Sequence, residues 1–171
     1  MAKLTDDDAH WYEMEPAELD YLDCAPAIWT MEATLAAPRQ AVWDAFADAA
    51  GWADWFPHVE AAGYDGDAPY GVGTIRRSNV AGALHEETML AWDEGVRWGY
   101  RVDKATAQLS RAQIEMTEFS DAADGTLVRW IIACDPLDEF TFLAGDRPME
   151  AFLTELHEAA MQSLAAHLAK R

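Results

Sequence analysis

The sequence predicts an α+β fold in which a strongly bent antiparallel sheet of about seven strands wraps around one long C-terminal helix. Three observations predict it: a first strand followed by two short helical segments, six strand-like runs joined by short turns containing Gly and Asp, and a closing run with apolar residues every three or four positions. Short turns favour antiparallel pairing of consecutive strands. A helix packed on one face of such a sheet would bury the apolar sides of both.

Local signals place each element in this order. The first strand covers residues 28–35, and Pro38 can begin the helix after it because the first helical turn does not use the missing N–H. A second short helical turn covers residues 52–56. The six later runs cover residues 59–64, 73–80, 83–92, 96–103, 109–119 and 126–134. The long helix is expected to be capped by Asp146, to begin at Pro148 and to bury Met149, Phe152, Leu153, Leu156, Ala160, Leu164 and Leu168.

Size and charge exclude several classes of function. The chain has 171 residues, 51% of them hydrophobic, which suffices for one sizeable core. Its 12 Lys and Arg residues against 31 Asp and Glu residues give a net charge of -19, which repels nucleic-acid phosphates and anionic lipids. No apolar run approaches the length of about 18 residues typical of a spanning helix, and the first ten residues do not resemble a signal peptide. We therefore expect a cytoplasmic protein with no nucleic-acid partner and no stable membrane insertion.

Patterns for disulfides, metals and cofactors are missing from the sequence. Cys24 and Cys134 are the two cysteines, and neither has a second Cys or a His at metal-ligand spacing. Gly71 and Gly73 superficially suggest a dinucleotide loop, but a strand follows them where that loop requires a helix. We expect reduced thiols, no bound metal and no cofactor.

We expect the first 26 residues to form an acidic extension and residues 27–171 to form a single domain. The extension holds eight carboxylates and one Lys, yet it also contains aromatic residues such as Trp11 and Tyr12, which a disordered tail would contain less often. We expect it to dock loosely on the domain with a short helical turn near residues 17–22. It could cover the mouth of a cavity or contribute to a homodimer.

Residues 27–169 resemble the START-like or SRPBCC superfamily, which includes polyketide cyclases/dehydratases and lipid-transfer proteins. The resemblance depends on Ala37-Pro38 before Val42-Trp43, on Trp52 and Trp55-Phe56-Pro57, on Gly71-Val72-Gly73-Thr74, on Trp92-Asp93, on Asp124-Gly125-Thr126 with Trp130, and on the closing amphipathic helix. It implies the helix-grip fold with a ligand cavity between the sheet and the long helix. It does not imply a reaction, because members of the superfamily range from cyclases to carriers.

Hairpin geometry predicts which side chains face this cavity, because residues alternate between the two faces of a strand. A two-residue turn at Ala81-Gly82 places Arg77 opposite Glu86 and Arg76 opposite Glu87. A three-residue loop at residues 93–95 places Trp92 opposite Val96, Leu90 opposite Trp98 and Thr88 opposite Tyr100. On this register we expect the ligand to contact Arg77, Asn79, Glu86, Thr88, Leu90, Trp98, Tyr100, Met116, Trp130, Phe152 and Leu156. The same inner face would also carry Ile75, Leu84, Trp92, Val96, Val102, Ile114, Val128 and Ile132, and Ala159 would face it from the long helix.

Arg77 and Glu86 are the most informative of these residues, because an ion pair on an inner wall is costly to desolvate. Arg77 would bind a carbonyl or carboxylate of the ligand while Glu86 holds it in place. In the alternative interpretation the pair is a solvated surface bridge.

An aromatic group at the chain's entry to the sheet and in the loop before the long helix could form a gate over the cavity. The residues concerned are Trp55, Phe56, Phe140 and Phe142. Ordinary core packing beneath a loop is the alternative.

The leading functional hypothesis is binding or carriage of a small, largely apolar ligand such as a lipid, a polyketide or an aromatic metabolite. An alternative is a cyclase or dehydratase in which Glu86 or His85 is the base and Arg77 stabilises an enolate. A second alternative is a regulator that binds another protein through its acidic surface. No spacing of acid and base residues identifies catalytic groups.

Overall fold

The computed structural model describes residues 3–137 and 148–170. The helices are α1 (Arg39–Ala47), α2 (Met149–Leu168) and the 3₁₀ helices η1 (Leu19–Asp23) and η2 (Ala49–Asp54). The strands are β1 (Tyr12–Glu13), β2 (Ala27–Leu35), β3 (Val59–Tyr64), β4 (Ile75–Val80), β5 (Ala83–Asp93), β6 (Arg97–Ala105), β7 (Ser110–Ala122) and β8 (Gly125–Pro136). None of the helices in these two ranges is both long and apolar enough to cross a membrane.

The strands form one curved antiparallel sheet in the order β2-β8-β7-β6-β5-β4-β3. Every pairing is antiparallel, and consecutive strands from β3 to β8 are neighbours, as short turns require. The predicted α+β helix-grip fold is confirmed. The strand that the sequence did not predict is β1, which lies in the N-terminal extension and pairs with β6.

The long helix α2 packs against one face of the sheet, which we call the inner face. Its buried residues recur at spacings of three and four and are Met149, Leu153, His157, Ala160, Met161 and Leu164. Phe152 and Leu156 flank this stripe and are half-buried, whereas Ala159, which was predicted to face the sheet, is exposed. The helix begins after Pro148, and the expected cap, Asp146, lies outside the described residues.

Two apolar clusters fill the space on the inner face. The larger one joins α1 and η2 to the middle of the sheet and includes Phe46, Trp52, Trp55, Trp98 and Phe119. The smaller one lies between the first half of α2 and strands β2 and β8, around Trp130. Burial of these aromatic side chains holds the two short helices against the inner face.

The predicted pairing of β4 with β5 is confirmed: Arg77 lies opposite Glu86, and Arg76 lies opposite Glu87. The predicted register of β5 with β6 is wrong. Gly95 has the expected positive φ of 70°, but the pair nearest the loop is Asp93 with Arg97, so the loop comprises residues 94–96. Trp92 therefore lies opposite Trp98, and Val96 is exposed in the loop.

A bulge in the same pairing, between Met89 and Ala91, then exchanges the faces of β5 and places Met89 opposite Tyr100. A second irregularity, between Glu86 and Glu87, has its extra residue on β6. As a result the inner face carries Arg76, Ser78, Glu87 and Met89. The expected inward orientation is wrong for Ile75, Arg77, Asn79, Leu84, Glu86, Thr88, Leu90, Ile114 and Met116, which lie on the outer face.

The N-terminal segment, residues 3–25, covers much of this outer face. Leu19 and Leu22 pack against a cluster that contains Met116, and Ala17 packs against Ile114. The expected helical turn is present as η1, starting two residues later than predicted. Ion pairing of Glu18 with Arg101 at 2.6 Å adds a polar contact.

Candidate ligand site on the inner face

A row of polar side chains crosses the inner face from β4 to β8. It consists of Arg76, Glu87, Tyr100, Glu115 and Trp130, one from each successive strand. Arg76 is directly opposite Glu87, and Tyr100 is directly opposite Glu115. Strand alternation therefore brings these residues to the same side of the sheet as α2.

Arg76 and Glu87 form an ion pair that is almost completely buried. Their side chains are 2% and 4% exposed, and Ser78 Oγ donates a hydrogen bond of 3.0 Å to Glu87. The guanidinium carbon lies 4.5 Å from the ring centroid of Trp52, within the range of a cation–π contact. Burial by itself lowers the pKa of Arg76, but the Glu87 charge and hydrogen bond together with Tyr100 and Tyr64 raise that pKa by more, so Arg76 stays protonated.

Several donors in or beside the larger apolar cluster have no hydrogen-bond partner among the described residues. They are Arg76 Nε and the indole Nε1 atoms of Trp43 and Trp55. The two tryptophans belong to the cluster, and the Arg76 guanidinium lies over its Trp52 ring. Buried donors are normally satisfied by protein, water or ligand, so this part of the inner face favours an acceptor oxygen.

Glu115 is the carboxylate in the middle of the polar row, and it is partly exposed. Gln113 Nε2 donates to its Oε1 at 2.8 Å, and Trp130 Nε1 donates to its Oε2 at 3.1 Å. Burial, followed by the charge of Glu87, raises the pKa of Glu115, although hydrogen bonds from Tyr100, Gln113 and Trp130 oppose that rise. This carboxyl group therefore takes up a proton more readily than an ordinary glutamate does.

Tyr100 stays a neutral phenol beside this carboxylate. Burial, the Glu115 charge and the Glu87 charge raise its pKa well above the ordinary value for tyrosine. A neutral phenol can donate a hydrogen bond to Glu115 or to a ligand oxygen.

An apolar wall adjoins Glu115 where α2 crosses β8. Trp130 packs with Phe152 and Leu156 of α2, and the Phe56 ring lies edge-on to the Trp130 ring at 5.8 Å between centroids. Phe56, Phe152 and Leu156 are each only half-buried. The combination of partly exposed apolar surface with a few convergent polar groups is typical of small-molecule sites.

His157 lies behind this wall. It is 1% exposed, its ring centroid is 5.6 Å from that of Trp130, and Nε2 has no hydrogen-bond partner among the described residues. Burial lowers its pKa to about 4, so His157 is neutral at physiological pH.

The structure divides the residues predicted to contact a ligand into two groups. Trp98, Tyr100 and Trp130 are on the inner face, with Phe152 and Leu156 opposite them on α2. Arg77, Asn79, Glu86, Thr88, Leu90 and Met116 are on the outer face, beneath or beside the N-terminal segment.

Arg77 and Glu86 form the surface ion pair of the alternative interpretation. Their side chains are 23% and 19% exposed, and Arg77 also binds Asp65 at 3.0 Å. With Lys104 and Trp11 they line an open cleft of about 500 Å³ under the N-terminal segment. Neither residue can serve as base or enolate stabiliser at the inner face. His85 is half-buried, and desolvation lowers its pKa.

The gate residues also have different positions. Trp55 is 3% exposed within the larger cluster, as the core-packing alternative expects, and Phe56 bridges the two clusters. Phe140 and Phe142 lie outside the described residues.

Sequence reasoning missed Arg76, Glu87, Gln113, Glu115 and His157. For Arg76 and Glu87 the signal was present, because they were predicted to pair and only their face was assigned wrongly. Glu115 lies between Ile114 and Met116, whose apolar character indicated the opposite alternation. Within residues 3–137 and 148–170, no three His, Cys, Asp or Glu side chains are grouped so that they could hold a metal ion.

Comparison with solved structures supports the fold. A protein from Thermobifida fusca is 20% identical, with a TM-score of 0.65, and the match covers 84% of this chain and 93% of that one. The protein named Ara h 8.0201 is 12% identical, with a TM-score of 0.64 and coverage of 85% and 99%. StfQ, a di-domain ARO/CYC from the steffimycin biosynthetic pathway, is 11% identical, with a TM-score of 0.65 and coverage of 84% and 51%.

Comparison with protein families is more specific. No curated protein matches the chain. The model of one family, described as "Polyketide cyclase / dehydrase and lipid transport", matches residues 27–169, which is most of the sequence. The chain therefore belongs to this polyketide cyclase / dehydrase and lipid transport family, within the START-like or SRPBCC superfamily.

Proposed function

We propose that this protein binds a small, largely apolar molecule between the inner face and the first half of α2, with Glu115 as its polar contact. A lipid, a polyketide or an aromatic metabolite bearing a hydrogen-bond donor would fit this description. The observation that carries the proposal is the position of Glu115. It is a partly exposed carboxyl group held by Gln113 and Trp130 at the edge of an apolar wall.

In such a site the apolar and the polar side chains would have different roles. The exposed parts of Phe56 and Leu156 would supply affinity by removing apolar ligand surface from water. Glu115 would orient the ligand, because its two oxygens are already aligned by fixed donors and lose little freedom on binding. The unpartnered donors around Arg76 favour a ligand that also carries an acceptor oxygen.

Fluorescence titration with N-phenyl-1-naphthylamine tests this proposal. The probe is apolar, uncharged and carries one N–H donor. We expect saturable binding to the wild-type chain, a loss of about tenfold or more in affinity in Leu156→Asp, and a smaller loss in Glu115→Gln. Glu118→Gln is the matched control, because Glu118 is on the same strand but pairs with Arg129 at the surface. Equal affinities of all four chains, or no binding by the wild type, would overturn the proposal.

A second candidate function, a polyketide dehydrase, is favoured by the acid–base character of Glu115. In that reaction the Glu115 carboxylate would remove the proton α to a carbonyl and then return it to the β-hydroxyl group, which leaves as water while the C=C bond forms. Tyr100, as a neutral phenol, could hydrogen-bond the enolate oxygen.

A β-hydroxy ketone with an aromatic substituent provides the test, since its dehydration gives a conjugated enone with strong near-ultraviolet absorbance. We expect the wild-type chain to form the enone and Glu115→Gln to lose that activity, while Glu118→Gln retains it. Turnover that is unchanged in Glu115→Gln, or absent from the wild type, would reject this second candidate.

A further inference from the structure

The sheet contains a seam between β6 and β7 that the N-terminal segment fills. The two strands pair with each other only from Arg97 with Glu118 to Arg101 with Ile114. Beyond that point β1 pairs with Ala105 and Lys104 of β6. Met14 N–H then donates to Asp103 O and Glu15 N–H donates to Arg111 O, both at 2.8 Å, so residues 12–15 bridge the separated ends of the two strands.

The side chain of Met14 extends from this seam to the inner face. It packs against the larger apolar cluster, and its sulfur lies 3.9 Å from Ser110 Oγ. Ser110 Oγ donates to Gln113 Oε1 at 3.0 Å, and Gln113 Nε2 donates to Glu115 Oε1 at 2.8 Å. Three consecutive side-chain contacts therefore connect the N-terminal segment to the carboxylate of the candidate site.

We propose that Met14 is a positioning residue, a wedge in the β6–β7 seam that holds the Ser110–Gln113 pair against Glu115. The N-terminal segment precedes the family match at residues 27–169, and through Met14 it would position a residue of the site. The inference rests on the proposed function in one respect, namely that Glu115 is the polar contact of the ligand.

Contacts on both sides of Met14 hold the wedge in place. Before it, the ammonium group of Lys104 lies 5.3 Å from the ring centroid of Trp11. After it, Glu18 binds Arg101, and Leu19 and Leu22 cover the apolar outer face. Because the segment is anchored at several points, shortening the Met14 side chain should open the seam without releasing the whole segment.

Opening the seam would let water reach the buried side of Glu115. The titratable and charged groups that face this carboxylate are Glu87 on β5, Tyr100 on β6 and Cys134 on β8, with Arg76 on β4 beside Glu87. His157 of α2 lies on the far side of Trp130 and is neutral. Burial is the largest cause of the raised pKa of Glu115. Hydration should therefore lower this pKa by more than the loss of the Gln113 hydrogen bond raises it.

The test is a ¹³C NMR titration of the Glu115 carboxyl carbon in the ligand-free full chain. We expect the pKa of Glu115 to fall towards its ordinary value in Met14→Ala, and to stay at the wild-type position in Met14→Leu, which restores the volume of the wedge. Tyr12→Ala is the matched control, because Tyr12 is exposed on the same short strand. An unchanged titration in Met14→Ala would overturn the inference.

A second variant keeps the inference testable should Met14→Ala fail to fold. Ser110→Ala leaves the wedge in place but removes the hydroxyl group that orients Gln113, so the carboxylate loses a donor and the pKa of Glu115 should rise. An unchanged titration in this variant would equally overturn the inference.

Probe binding distinguishes failure of the inference from failure of the proposed function. If both hold, Met14→Ala should weaken N-phenyl-1-naphthylamine about fivefold and Met14→Leu should not, a coupling of the usual size between linked sites. A wild-type chain that binds no probe, but whose Glu115 titration responds to Met14→Ala, would reject the function and keep the wedge. Probe binding that is weakened in Glu115→Gln but unchanged in Met14→Ala would keep the proposed function and reject the role of Met14.

Discussion

Two neighbouring ion pairs of the same chemical type show how differently the two faces of this sheet use charge. Arg76 with Glu87 and Arg77 with Glu86 join the same two strands at adjacent positions. The first pair is buried among aromatic rings on the inner face, with side chains 2% and 4% exposed. The second is 23% and 19% exposed on the outer face and shares its charges with Asp65 and Lys104.

The comparison shows that burial, and not the identity of the two residues, decides how much the loss of one partner of an ion pair changes the stability of the fold. A buried charge without its partner is strongly unfavourable, whereas an exposed pair is screened by water and ions. We therefore expect the inner pair to control the stability of the region around the candidate site, and the outer pair to contribute little.

The largest expected effect comes from removing one partner of the inner pair. Arg76→Met leaves Glu87 buried with Ser78 as its one donor among the described residues, and should lower the free energy of unfolding by about 3 to 5 kcal/mol. Arg77→Met should cost less than about 1 kcal/mol, because water and Lys104 remain near Glu86. Urea unfolding measures both, and similar losses for the two variants would remove the distinction between the faces.

A double replacement sharpens the same comparison. Arg76→Met combined with Glu87→Leu removes both buried charges, so it should cost less than Arg76→Met alone. If the double variant is less stable than Arg76→Met, then Glu87 stabilises the fold through other contacts besides its charge pairing with Arg76. The measurement is again urea unfolding.

His157 gives the next largest effect, because the inner face keeps it neutral. Its pKa is lowered from 6.5 to about 4 by burial, so the folded chain binds a proton less readily than the unfolded chain. Stability should therefore be lost as the pH falls from about 6.5 to about 4, by up to about 3 kcal/mol. His157→Leu should abolish this dependence in unfolding titrations, whereas His167→Gln, at the end of the same helix, should retain it.

Glu115 should give a smaller pH effect of opposite direction. Because its pKa is raised in the folded chain, the stability linked to its protonation is present at low pH and is lost as the pH rises through the folded pKa. Relative to Glu115→Gln, the wild-type chain should therefore become less stable with rising pH in this acidic range. Glu118→Gln is the comparison on the outer face, and a wild-type slope matched by both variants would contradict the expectation.

The smallest expected effect concerns the turn that aligns both ion pairs. Ala81 has a φ of 51°, a left-handed conformation that an alanine side chain disfavours. Ala81→Gly should raise the thermal stability by about 0.5 to 1 kcal/mol without changing either pair, because the turn geometry already suits glycine. A loss of stability would mean that the turn is held by tertiary contacts and not by its own conformation.

Apart from β1, the sequence alone determined the order of the elements and the fold, and its resemblance to known proteins indicated the family. Those features depend on local signals, such as helical spacing in α2, turn residues between strands and the two-residue turn after Val80. Such signals act over a few residues and do not require knowledge of distant contacts. The same locality explains why Arg76 was correctly paired with Glu87.

Only the tertiary structure decided which face of each strand points inwards. Alternation identifies an inner face when the other face is solvated, but here both faces carry apolar residues, since Leu90 and Met116 are covered by the N-terminal segment. Two bulges in the β5–β6 pairing then shift the register by amounts that no local signal encodes. The position of Glu115, its connection to Met14 and the burial of Arg76 all follow from those non-local contacts.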